Sequence, residues 1–178
     1  MALVFLNYRR QGGAYAAALL DELLIGHFGQ GQVFRAARSI APGADYAEAI
    51  LAAVAECEVM LAIIDEGWAA EPGASSASDG GDSWALREIE EALKHQRKVV
   101  PVLLSGVRSV AGDGSPGLLD EMSRRQYLRF DYRNVRQDSE FIAEQLTRVS
   151  RKIRNARRGH GRYGNAIGRV AGFPRAKR

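Results

Sequence analysis

One cysteine, Cys57, is all that 178 residues offer, so no internal disulfide can form and no cysteine-rich metal site can be built. At the end of a predicted helix, a lone thiol reads as a small buried filler. The three histidines, His27, His95 and His160, fall in unrelated places. Neither HExxH nor GxSxG occurs, which argues against zinc hydrolysis and serine-triad catalysis. The first turn lacks the GK[ST] of a phosphate-binding loop, and the one GxGxxG string, residues 159–164, follows no strand and is read as a coincidence of composition. No apolar run approaches the ~20 residues that span a bilayer, and MALVFLNYRR is a short strand followed by arginines rather than a secretion signal. These absences point to a cytosolic protein without a transmembrane segment. Acidic residues stop altogether at Glu144. Residues 1–146 carry 14 basic against 21 acidic side chains, net −7, while the last 32 residues hold 11 arginines and lysines, so the formal +4 resides in the tail.

What remains is 46% hydrophobic, enough for one domain with a sizeable core plus a tail. Strand and helix signals alternate. Residues 3–7 (LVFLN) are too short an apolar run for a helix, and residues 14–28 repeat apolar side chains at helical spacing through Ala16, Leu19, Leu20, Leu23, Leu24 and Phe28. A second short strand is expected at 32–35, then a loop, RSIAPGADY, turning at Pro42-Gly43. A helix with Tyr46, Ile50, Val54 and Cys57 on its apolar side follows. Residues 58–64 (EVMLAII) form the most continuously apolar strand, which marks it as central and buried on both faces. The polar segment from Asp65 to Asp82 reads as a disordered loop or a cover. Beyond it are predicted a helix, a strand at 99–104, a Gly-rich stretch, a short helix near 118–123, a strand at 127–130 and a last helix over 139–153. The expected architecture is α/β: a flavodoxin-like, doubly wound parallel sheet of five strands in the order 2-1-3-4-5, over residues 1–154. A basic, disordered tail would occupy 155–178. In such sheets ligands bind beyond the carboxyl ends of the strands where the order reverses. That places Tyr8, Arg9 and Arg10 on one side of a crevice and Glu66, Gly67 and Trp68 on the other.

The helix after the polar segment, DSWALREIEEALKHQRK, is capped near Asp82 or Ser83 and carries Ala85, Ile89, Ala92 and Leu93 on its buried stripe. Trp84 and Glu88 fall one turn apart on the flank of that stripe, whereas Glu90 and Glu91 point to water. From this helix alone Trp84 is a core anchor and Glu88 part of a solvated acidic face. The alternative is a carboxylate held beside an indole for chemistry.

Four blocks in series, VFLNYRR, RSIAPGADYAEAI, EVMLAII with the following Trp68, and WALREIEEALKHQRKVVPVLL, resemble a TIR domain (Toll/interleukin-1 receptor homology) of bacterial type. The resemblance covers nearly all of residues 3–153. It implies a flavodoxin-like domain that in many members is an NAD⁺ glycohydrolase, with NAD⁺ as substrate rather than cofactor and no metal. The family's catalytic glutamate, four residues after a tryptophan, carries over to Glu88 with Trp84 before it. The arginines that hold NAD⁺ after the first strand carry over to Arg9 and Arg10, with Tyr8 beside them. The loop at residues 39–43, including Ala41, corresponds to a self-association surface and a rim of the nucleotide site. Departures from the family pattern are Asn7 in place of a usual serine, Ala36 and Arg38 where many relatives carry acids, and Ala41 where some carry an acidic nucleotide contact.

The resemblance also implies self-association through TIR–TIR contacts and docking to other TIR proteins. It leaves a second reading open, a non-catalytic adaptor acting through that docking alone. It leaves the product open between linear ADP-ribose, a cyclised form and an ADP-ribosyl transfer product. The basic tail reads as a solvated extension, with an anionic partner such as nucleic acid or an acidic membrane as the sharper alternative.

Overall fold

The computed structural model describes residues 1–10, 12–68, 81–110 and 117–167, with side chains at all of these except 81–83, 119 and 162–167. The expected cover at 69–80, part of the Gly-rich stretch at 111–116 and the end of the tail at 168–178 lie outside the described residues. The strands β1 (Val4–Tyr8), β2 (Val33–Phe34), β3 (Val59–Ile64), β4 (Lys98–Leu104) and β5 (Leu128–Phe130) pair in parallel as β2-β1-β3-β4-β5. This is the doubly wound order anticipated from the alternation of elements. The helices are α1 (Ala14–Phe28), α2 (Ala36–Ser39), α3 (Tyr46–Glu56), α4 (Gly81–Lys94), α5 (Leu118–Ser123), α6 (Val135–Val149) and α7 (Arg151–Ile167).

Successive strand residues point to opposite faces, and the apolar runs therefore feed two cores. Val4, Leu6, Leu61, Ile63 and Val102 meet α1, α6 and α7 on one side, whereas Phe5, Met60, Ala62, Ile64 and Leu103 meet α3, α4 and α5 on the other. All six β3 residues are buried because both faces are covered.

The helical stripes are rotated slightly from those expected. On α1 the buried positions are Ala17, Leu20, Asp21, Leu24 and Phe28, while Leu19 is exposed. A carboxylate thus sits in the middle of an apolar stripe, fully buried, and is neutralised from the segment that follows β2. Arg38 donates to both Asp21 oxygens, Nε to Oδ2 and an Nη to Oδ1 at 2.7 Å each, and Arg35 Nε donates to Oδ2 at 2.9 Å. Two arginines three residues apart reach one carboxylate only if a helical turn lies between them, which explains α2, where the sequence suggested a strand exit and loop. Arg38 therefore acts as a bidentate clamp rather than a surface charge. Arg38→Ala is expected to lower stability by about 2 kcal/mol, and an unchanged urea midpoint would contradict this role.

α4 ends in a left-handed cap without glycine. Gln96 has φ 55°, Gln96 N–H donates to Leu93 O at 2.9 Å, and Arg97 N–H to Ala92 O at 2.8 Å. This paired closure ordinarily places glycine at the turning residue. Gln96→Gly is expected to raise stability by about 1 kcal/mol, read as a higher denaturation midpoint.

The last helix predicted over 139–153 is instead two. α6 starts at Val135 and ends at Ser150, whose backbone is extended (φ −139°, ψ 128°), and α7 then runs to Ile167. Ser150 Oγ donates to Glu58 Oε2 at 3.2 Å and accepts from Ile153 N–H at 3.4 Å, so this residue closes one helix and caps the next. Residues 155–167, expected to be disordered, are helical. Ile153 is buried, Ala156 packs against the core, and Arg157 pairs with Glu140 of α6. The domain boundary expected at 154/155 therefore cuts through a helix. The GxGxxG string at 159–164 lies within α7.

Candidate active site

Parity along β1 decides which of its residues can meet α4. Phe5 and Asn7 point to the α3/α4 face, whereas Leu6 and Tyr8 point to the α1 face. Asn7 is paired in register with Ala62 of β3 and is fully buried. Its Nδ2 donates one hydrogen bond to Ala85 O at 2.9 Å and another to Glu88 Oε2 at 2.7 Å. Two acceptors on one side fix the assignment of the amide, with nitrogen toward α4 and oxygen away. Asn7 Oδ1 is buried and has no hydrogen-bond partner among the described residues.

Glu88 is 7% exposed and turned inward. Ala85, Glu88, Ile89 and Ala92 form the buried stripe of α4, so the acid sits in the stripe rather than on its flank. Glu90 is exposed, as expected. Burial pushes the Glu88 carboxyl up to about 7, and the hydrogen bond from Asn7 pulls the other way. Near neutral pH this group is therefore divided between its acid and carboxylate forms. A carboxyl poised near the working pH can act either as a proton carrier or as a fixed anion.

The remaining residues of interest distribute around this pair. Trp84 is half-buried; its ring meets Tyr46 of α3 edge to face at 6.2 Å and carries the Arg87 guanidinium over it at 4.8 Å. Tyr46, 43% exposed, was expected on the apolar side of α3 and instead edges this indole at the first turns of α3 and α4. No described hydrogen bond or ring contact joins Trp84 to Glu88; Asn7 is the residue that touches it. Arg9 donates from Nη1 to Gly67 O and lies over the Trp68 ring at 5.9 Å. Gly67 N–H in turn donates to Asp65 Oδ1 at 2.8 Å. A Cβ on Gly12 would stand 2.5 Å from Asp65 Cγ, so the turn after β1 needs glycine to lie against the β3 exit. The crevice expected between these two exits is thus spanned by Arg9. Trp68 is buried, with Nε1 unpartnered among the described residues.

Tyr8 is on the opposite face of the sheet, packed against the α1 core, with its phenol near the Arg35 guanidinium. Arg10 and Ala41 are exposed, the latter in the loop at 40–45 before α3, and no described side-chain contact joins either to Glu88. Sequence reasoning gathered Tyr8, Arg9, Arg10, Ala41, Trp84 and Glu88 into one site; the structure brings Glu88 together with Asn7 instead. The available signal was parity, since Asn7 is the one polar residue at an inward position of β1. Among the described residues no group of three or more His, Cys, Asp or Glu converges as a metal site. Cys57 is buried, and burial pushes its thiol up to about 12, which leaves it inert as a nucleophile.

A doubly wound parallel sheet with one buried carboxyl held against its first strand defines a flavodoxin-like α/β domain. Residues 4–147 match the family model of the TIR domain, and the chain belongs to the TIR domain family. No curated protein matches the chain. Among solved structures, it is similar to the TIR domains in the structure of the activated Roq1 resistosome directly recognizing the pathogen effector XopQ. The identity is 18% and the TM-score 0.51, with 83% of this chain and 98% of that one covered. It is also similar to the TIR domain of the Toll-related receptor TRR-2 from Hydra magnipapillata, at 13% identity and TM-score 0.50, covering 84% and 98%. No helix among the described residues is long and apolar enough to cross a membrane.

Proposed function

We propose that the protein is an NAD⁺ glycohydrolase that cleaves the bond between nicotinamide and ribose, with Glu88 as its catalytic residue. The observation that carries this reading is the inward-facing, desolvated Glu88 carboxyl held by Asn7. Nicotinamide is cationic while attached and leaves as a neutral molecule with the bonding electron pair, so no general acid is needed. Water then adds to the ribosyl carbon and releases a proton, or a nucleophile within ADP-ribose closes a ring. The transition state is oxocarbenium-like. A fixed carboxylate near the ribose stabilises that positive charge, more strongly where water is excluded. The substrate's own cation favours ionisation of Glu88, so a carboxyl titrating near 7 supplies the anion when NAD⁺ is bound.

Trp84, edged by Tyr46, offers a flat wall beside the α4 N-terminal turns. Arg10 is exposed and suited to the pyrophosphate, while Arg9 would exchange the Gly67 carbonyl for a phosphate oxygen. Ala41 lies in an exposed loop suited to contact with a second copy. The resistosome relative is an assembly containing TIR domains, which supports self-association as the activating step. The adaptor alternative draws on the same exposed loop and on the half-exposed Tyr46.

The test is NAD⁺ consumption by purified protein over a range of concentrations, with and without crowding agents. The proposal expects turnover that rises faster than linearly with protein concentration. A wild type that stays silent at the highest concentration, while still forming TIR–TIR complexes, would favour the adaptor.

A further inference from the structure

The position where the family usually has serine carries an amide here, and the geometry gives that amide work. Its two N–H groups reach two acceptors on α4, Ala85 O and Glu88 Oε2, at 2.9 and 2.7 Å. A serine hydroxyl has one proton and can serve only one of them. We propose that Asn7 is a positioning residue for Glu88: one N–H ties β1 to the α4 backbone, and the other fixes the direction of the carboxylate and favours its ionised form. The proposal rests on the reading of Glu88 as the working group.

Three features support it. Asn7 is fully buried, so its rotamer is held by packing and its hydrogen bonds do not compete with solvent. The contact joins residues 81 positions apart, so it is a tertiary link between strand and helix rather than a local turn. Among the described residues no other side chain hydrogen-bonds to Glu88. Arg9 at the end of β1 is turned to Gly67 and Trp68, Arg87 on the same helix lies over Trp84, and Asp65 at the β3 exit accepts from Gly67 N–H. Farther along α4, Glu91 is engaged by Lys94 and His95. Removing the amide therefore leaves Glu88 buried without its one hydrogen-bond donor among the described residues.

The experiment compares wild type, Asn7→Leu and Asn7→Ser by pH profiles of NAD⁺ cleavage. In parallel, Glu88 is titrated without any turnover by ¹³C NMR of δ-carboxyl-labelled protein, with Glu88→Gln assigning the signal. A hydrogen bond to an ionised group is worth enough to move a titration by about one pH unit. Asn7→Leu is thus expected to move the acidic limb and the NMR midpoint up together. The rate at pH 7 falls about fivefold and recovers in large part by pH 9, with KM changed less than twofold. Asn7→Ser, which keeps one donor and is small enough to be accommodated, should show a smaller shift in the same direction. A merely structural role would lower kcat equally at all pH values and leave the midpoint in place, and that result overturns the proposal. If wild type cleaves no NAD⁺, the NMR midpoints still decide the Asn7 contact, so failure of the glycohydrolase reading and failure of this one are separate outcomes. Should Asn7→Leu not fold, an unmoved midpoint in Asn7→Ser is the overturning result.

Discussion

Glu88→Gln is expected to melt higher than wild type at pH 8 and at the same temperature at pH 4. An unfolded glutamate titrates near 4.5, while the folded group is raised to about 7. Below 4.5 both states hold the proton, and burial of the neutral acid carries no electrostatic penalty. Between 4.5 and 7 the unfolded state loses its proton first, so it binds fewer protons than the folded state and stability falls as pH rises. Above 7 both are ionised and the whole penalty is present, about 3 kcal/mol for a displacement of this size. A glutamine keeps the acceptor for Asn7 and never ionises. At pH 8 it should recover most of that loss, roughly 6–12 °C in melting temperature for a domain of this length. Melting curves of the two proteins that stay parallel from pH 4 to 8 would show that Glu88 is not desolvated in solution. A stabilising substitution at a site of function is the trade expected where chemistry requires a buried charge.

The second large effect is on rate. If the ionised carboxylate stabilises the developing ribosyl cation, NAD⁺ cleavage should rise about tenfold per pH unit below 7 and level off above it. Glu88→Gln should lower kcat/KM by at least 100- to 1,000-fold on the plateau above pH 7, since an uncharged amide offers no compensating charge, and the gap should narrow as pH falls and wild type loses its own charge. Substrate binding pulls the group toward ionisation, so the limb in kcat should lie at lower pH than the limb in kcat/KM. An activity that instead falls as pH rises through 7 would mean that the neutral acid is the working form.

The path from sequence to fold was short where a residue's own neighbours decide its conformation. The apolar run of β3 and the helical spacing of α3 could be read directly. What escaped depended on partners distant in the chain. α2 exists because Asp21, an acid that local pattern would place in water, is buried and draws in Arg35 and Arg38. The break at Ser150 depends on Glu58, 92 positions away, which Lys152 also engages. α7 stays helical despite its charge because Ile153 and Ala156 find the α1/α6 face. The site follows the same division. Glu88 was legible because the tryptophan four residues before it forms a pattern; Asn7 belongs to it only through the β1–α4 contact, and Tyr8, its neighbour in sequence, is carried to the other side of the sheet.

The most direct test of Glu88 as the acting group is nicotinamide release at pH 8, measured side by side for wild type and Glu88→Gln at the concentration where wild type assembles. The account predicts steady release by wild type and none above background from a variant that is better folded than its parent. Equal release by both proteins would contradict it, because a charge-free side chain would then be doing the same work.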